Sequence, residues 1–181
     1  DEKYRLCRND LLGYYQQLAD LGINADILDR SQISADSLSE YGLIILPADP
    51  WYNYLPDENL EASLRTYAQN GGTVICGASS NLHSVFDIKA EKHESDSFDF
   101  EETVTEFSVN FMSFDDLEPE AKYCSDSKTV LGKKSFGKGT VYASGIDMGL
   151  CYVERSQKPV PVRYGRQAQY PLAVIKHTPI E

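Results

Sequence analysis

PDENLEASLRTYAQNGGTVICGASSN, Pro56 to Asn81, holds one whole helix followed by one whole strand, and its reading decides the fold class. Pro56 or Asp57 opens the helix and acidic residues fill its first turn. Leu60, Leu64 and Tyr67 share one face, and Gly71 stops it. TVICGA then reads as a buried strand. Upstream, LIILP (Leu43 to Pro47) is a continuous aliphatic run, the pattern of a parallel strand covered on both faces. Strand, helix and strand joined by short connections form a βαβ unit, which predicts a right-handed crossover in a parallel sheet with helices on its faces.

Outward from that unit the chain keeps α/β grammar on one side and changes on the other. NDLLGYYQQLAD, Asn9 to Asp20, places Leu11, Leu12, Tyr15 and Leu18 at helical spacing, capped by Asn9 or Asp10 and stopped at Gly22. INADIL follows as a β-type run, and SQISADSLSEYG is a capped polar connection anchored by Ile33 and Leu38. Residues 87–128 hold thirteen acidic residues against four lysines, nine of the eleven excess negative charges. FDFEETVTEF and SVNFMSF there alternate apolar with polar residues, which predicts an antiparallel β excursion at the sheet edge with an acidic outer face. KTVLGKKSFGKGTVYASGI reads as a hairpin around Gly137-Lys138-Gly139 that returns the chain to the core. The fold expected is therefore a single α/β domain over residues 1–181, with a mostly parallel central sheet and an antiparallel excursion at 87–128.

A net charge of −11 and a pI near 4.7 oppose binding to nucleic acid or to an anionic membrane, both of which need clustered positive charge. No apolar run is long enough to span a bilayer. Cys7, Cys76, Cys124 and Cys151 lack CxxC spacing, which fits free thiols in a reducing cytoplasm, the expected location. The opening DEKYRLCRND, without methionine, reads as a cut through a longer polypeptide.

Two segments bear on chemistry. A nucleophile elbow needs small residues two places before and two after the nucleophile. Cys76 has Val74 before it and Ala78 after it; Ser79 has Gly77 before it but Asn81 after it. Cys76 and Ser79 are thus the candidate nucleophiles, with a structural role preferred for both. The three histidines, His83, His93 and His177, do not form a recognisable triad with them. His93-Glu94-Ser95-Asp96 offers ligand types without a second cluster, so no metal site is expected, and neither glycine pair has phosphate-loop grammar, so no cofactor is. The second segment is Asp49-Pro50-Trp51-Tyr52-Asn53-Tyr54, which follows a parallel strand and so lies at the carboxyl edge of the sheet. Trp51, Tyr52 and Tyr54 suit stacking on a sugar ring or a subunit interface, and equally suit local packing with Trp51 capping the core. The basic stretch with Arg155, Arg163 and Arg166 is a second candidate interface, complementary to acidic residues on a neighbour.

GYYQQLADLGINADIL, EYGLIILP, the helix ending in YAQNGGTVICGAS, and SFGKGTVYASG, in that order and spacing, resemble the trimerisation domain of family 42 β-galactosidases. The resemblance implies a flavodoxin-like, class I glutamine-amidotransferase-like three-layer sandwich, placed after a catalytic barrel, mediating a homotrimer and helping to wall the active site. It carries over no catalytic residue. Tyr14, Tyr15, Tyr41, Pro47, Gly71, Gly72, Gly137 and Gly139 match as structural positions. The family's solid first strand has only Tyr4 to Cys7 as a counterpart, read as short, irregular or cut away. The expected function is non-catalytic oligomerisation and active-site framing in a β-galactosidase-like glycoside hydrolase. Two alternatives stand beside it: an amidotransferase-like hydrolase using Cys76 or Ser79, and a sugar-binding module built on the Trp51 loop.

Overall fold

The computed structural model describes residues 2–100 and 103–157, with side chains for 3–93 and 111–153. Along the chain run α1 (Glu2–Asp20), α2 (Ala35–Leu38), β1 (Leu43–Leu46), α3 (Glu58–Gln69), β2 (Thr73–Cys76), β3 (Ala90–Phe100), β4 (Thr103–Phe114), β5 (Glu118–Tyr123), β6 (Thr129–Phe136), β7 (Gly139–Ser144) and α4 (Met148–Gln157). The described residues group into two compact units, one of residues 2–26 together with 148–157, the other within Ile27–Asp147.

In the first unit α1 crosses α4 where two glycines meet. A Cβ on Gly13 would stand 1.8 Å from the Gly149 carbonyl oxygen, and one on Gly149 would stand 2.0 Å from that of Asp10, so any side chain at either position forces the helices apart. The fully buried Asp10 carboxylate accepts a hydrogen bond from the Leu150 N–H at 2.8 Å, in the first turn of α4, where unsatisfied donors and the helix dipole favour an anion. Tyr152 donates its hydroxyl to Asp20 at 2.5 Å; burial, then the carboxylate, pushes that phenol up to about 12.

α1 starts at Glu2 rather than Asn9, so Tyr4 to Cys7 is helix and not the remnant of a strand. Nothing between Glu2 and Asp20 breaks a helix, and the weak β preference of Tyr and Cys does not oppose propagation from the periodic part. INADIL is also not a strand. Ile23 and Ile27 are exposed, and residues 23–28 pair with no strand among the described residues, so the run has nothing to complete its ladder.

Among the described residues the second unit forms a seven-stranded sheet in the order β1-β2-β7-β6-β4-β3-β5. β1, β2 and β7 run parallel, in register Leu46↔Cys76 and Cys76↔Ala143. The remaining pairings are antiparallel. The result is a mixed α/β fold with a parallel central part and antiparallel strands. Among the described residues β1 stands at the end of the strand order, and its side chains run from exposed Leu43 through half-buried Ile44 and Ile45 to buried Leu46. α3 matches its expected bounds. The Asp57 carboxylate accepts from the N–H groups of Asn59 and Leu60, both at 3.0 Å, and Leu60, Leu64, Tyr67 and Ala68 are buried. This face joins Val74, Cys76, Val141 and Ala143 of the central strands in one core.

The double glycine and the glycine-lysine hairpin fit each other. A Cβ on Gly139 would lie 2.1 Å from the Gly72 carbonyl oxygen, and Gly137 takes φ +63° beside Gln69. The Lys138 N–H donates to the Gln69 carbonyl at 2.9 Å, so the hairpin tip satisfies an orphan carbonyl at the end of α3. At the other end of the sheet, β5 pairs with β6 as well as with β3, and the circuit β6–β4–β3–β5–β6 closes on itself. The expected excursion thus curls into a small all-antiparallel lobe.

Candidate functional site

The carboxyl ends of β1, β2 and β7 deliver three loops to one edge of the second unit. The loop after β2 turns at Gly77. Its Ser79 N–H and Oγ both donate to the Asp147 carboxylate, at 2.8 and 2.6 Å, which ties it to the loop after β7. Asn81 adopts a left-handed conformation at φ 59°, which Asn tolerates better than most residues. Its amide donates to the carbonyls of Asp49 (2.8 Å) and Ser79 (3.2 Å), and its Oδ1 accepts from Asn53 at 3.2 Å. The Asp49 N–H donates to the Ser79 carbonyl at 2.8 Å, closing the link to the loop after β1.

Asp49 also organises the aromatic loop. Its carboxylate accepts from the Trp51 N–H at 3.2 Å and pairs with Arg30. Arg30 in turn donates to the Leu55 carbonyl at 3.3 Å and lies over the Tyr52 ring at 5.2 Å. Tyr52 is buried and donates to Glu61 at 2.6 Å; burial first, then that carboxylate, pushes its phenol up to about 12. Trp51 is half-buried, whereas Tyr54 and Leu55 are 70% and 67% exposed. Of the three aromatic residues singled out in the sequence, Tyr52 faces the core, Trp51 lies between core and surface, and Tyr54 faces solvent.

Cys76 is wholly buried at the end of β2, and burial alone pushes its thiol well above the ordinary range, which disfavours the thiolate a nucleophile needs. Ser79 spends its hydroxyl proton on a carboxylate that also fixes its backbone, an arrangement that holds a loop. His83 is 6% exposed, tilts against Phe114 at 5.6 Å, and is pushed down to about 4 by burial, so it stays neutral. His93 sits in the antiparallel lobe, 4.0 Å from the Tyr123 ring and 3.6 Å from Asp126. Among the described residues no three His, Cys, Asp or Glu side chains could hold a metal ion. The side chain of Arg155 and residues His177, Arg163 and Arg166 lie outside what is described.

Sequence reasoning placed both segments at the carboxyl edge of the sheet and named Asp49 only as the start of the aromatic loop; it missed Arg30 and Asp147, the other charged groups that bind the loops together. An acidic residue one to three places past a strand, as in LPAD and ASGID, was the available signal.

Residues 3–87 match the model of the β-galactosidase trimerisation domain. No curated protein sequence matches the chain. Among solved structures, a catalytic mutant of Gan42B, a GH42 β-galactosidase from G. stearothermophilus, is similar with a TM-score of 0.60 at 18% identity, over 80% of this chain and 25% of that one. The exo-β-1,4-mannosidase Op5Man5 from Opitutaceae bacterium strain TAV5 gives 0.61 at 12%, over 82% and 28%. Cytoplasmic protein STM3548 from Salmonella typhimurium gives 0.56 at 14%, over 75% and 74%. At these identities the likeness is one of fold. The chain spans about a quarter of the length of the galactosidase chain. Among the described residues no helix is long and apolar enough to cross a membrane.

Proposed function

We propose that this chain, whose residues 3–87 match the β-galactosidase trimerisation domain, is a non-catalytic oligomerisation domain of a β-galactosidase-like glycoside hydrolase. The family match carries this reading, and it includes the whole of the Trp51 loop. The loop's build supports it. Asp49, Arg30 and Asn81 hold the backbone, so Tyr54 and Leu55 are presented to solvent at low entropic cost, as an interface anchor requires. Framing of an active site by the same loop, a flavodoxin-like ancestry, a cytoplasmic location and one domain over residues 1–181 belong to this reading. So does a purely structural role for Cys76 and Ser79, supported by the buried thiol and by the serine's bond to Asp147.

Analytical ultracentrifugation of the 181-residue chain tests it. A trimer is expected; a monomer that stays monomeric when fused to a galactosidase barrel overturns it. A sugar-binding role for the loop is read by the single tryptophan. Galactosides shift Trp51 fluorescence only if the ring meets the sugar.

A further inference from the structure

We infer that the outward face of α1 docks on the acidic antiparallel lobe of a second copy of this chain; this rests on the trimeric reading above. Residues 4, 8, 12, 15 and 19 recur at helical spacing along one stripe, and all five are exposed. Tyr4 is 62%, Leu12 42% and Tyr15 45% exposed, and the stripe lies away from Gly13, where α1 meets α4. A helix that packs one face on its own unit ordinarily turns polar residues outward. α1 instead turns out two tyrosines and a leucine. Leu21 and Ile23, 54% and 51% exposed, extend the apolar surface past the helix end, and beside Tyr15 and Ala19 lies an open hollow of about 400 Å³ floored by Ile23 to Asp26.

Charge and symmetry choose the occupant. Residues 1–9 contain Lys3, Arg5 and Arg8 against Asp1 and Glu2, a local excess of one positive charge in a chain of net charge −11. Nine of the eleven excess negative charges fall in residues 87–128, where Asp115 is exposed and Glu91, Glu118 and Asp126 are exposed while paired with Lys128, Lys133 and His93. A ring of three copies cannot close through a patch that meets itself; it needs two different surfaces that complement each other. The aromatic stripe, with Arg8 as its one cation and Arg5 beside it, and the acidic lobe are such a pair, with apolar contacts giving affinity and the charges setting orientation.

Sedimentation velocity on the 181-residue chain, its L12E/Y15E variant and its R5E/R8E variant tests this, with circular dichroism to show that these exposed substitutions leave the fold intact. L12E/Y15E should weaken assembly by about 100-fold. R5E/R8E should weaken it by about 10-fold at low salt, with most of that difference lost at high ionic strength. A photo-crosslinking residue at position 12 should capture residues 87–128 of another copy. Variants that assemble like the wild-type chain, or crosslinks to residues 158–181 of the same chain, overturn the inference and leave the trimeric reading standing. A wild-type chain that stays monomeric both alone and fused to a galactosidase barrel overturns both.

Discussion

The parallel and antiparallel parts of the sheet satisfy their backbones by different means. β1, β2 and β7 depend on cover: α3 lays Leu60, Leu64 and Ala68 over them, and the Gly137–Gly139 turn is locked onto the end of that helix. β3 to β6 depend on closure. The strand circuit returns to its start, and the interior is filled by Phe111 stacked on Tyr123 at 5.8 Å, with the Tyr123 hydroxyl donating to the Met112 carbonyl at 2.7 Å. The first part therefore rests on backbone clearance, in which a single added methyl group matters. The second rests on the bulk of a few rings, in which a single lost ring matters.

Four measurements would break or sharpen that contrast. Tyr123→Ala should do most damage, because Tyr123 is 1% exposed and holds the ring stack together; a loss of about 4 kcal/mol in denaturant unfolding is expected, while Tyr123→Phe should cost only about 1. Gly139→Ala should cost about 3 kcal/mol, since the new methyl would fall 2.1 Å from a carbonyl oxygen and the hairpin would have to leave α3. A near-neutral result would mean that the glycine contact is not what holds the parallel half.

His83, beside Phe114, lies where the two parts join. Its pKa falls from 6.5 to about 4 on folding because burial disfavours the cation. Between those values the unfolded chain binds the extra proton. Stability is thus full above about pH 6.5, declines as the pH falls, and has lost up to about 3 kcal/mol near pH 4. His83→Gln should flatten that part of the stability profile. The smallest effect expected is at the loop edge: Tyr52→Phe removes the bond to Glu61 and should cost about 1 kcal/mol, with the far-UV spectrum unchanged.

The same contrast explains what could be read from the chain alone. α3, β2 and the β6–β7 hairpin carry their signals locally: a capping Asp57, period-3.6 leucines, glycine at the turn. The closure of the antiparallel lobe could not be read, because β4 meets β6 through the single pair Phe114↔Thr129, a long-range event without a motif. INADIL has strand composition, yet a strand exists only where a neighbour completes its hydrogen bonds. At the candidate site, the small residues after β2 marked the carboxyl edge of the parallel strands. The network itself runs through Arg30, Asp49, Asn81 and Asp147, three of them more than twenty-five residues from another partner, and such pairings leave no trace in local pattern.

The Asp10 to Leu150 hydrogen bond bears on the order of synthesis. Its partners are 140 positions apart. At ribosomal speeds of about 5 to 20 residues per second, Leu150 appears on the order of ten seconds after Asp10. During that interval the α1 carboxylate has no α4 to cap and Gly13 has no facing helix, so the two-helix unit is among the last parts to mature on the ribosome. Truncation ahead of Met148 would leave α1 permanently in that nascent condition.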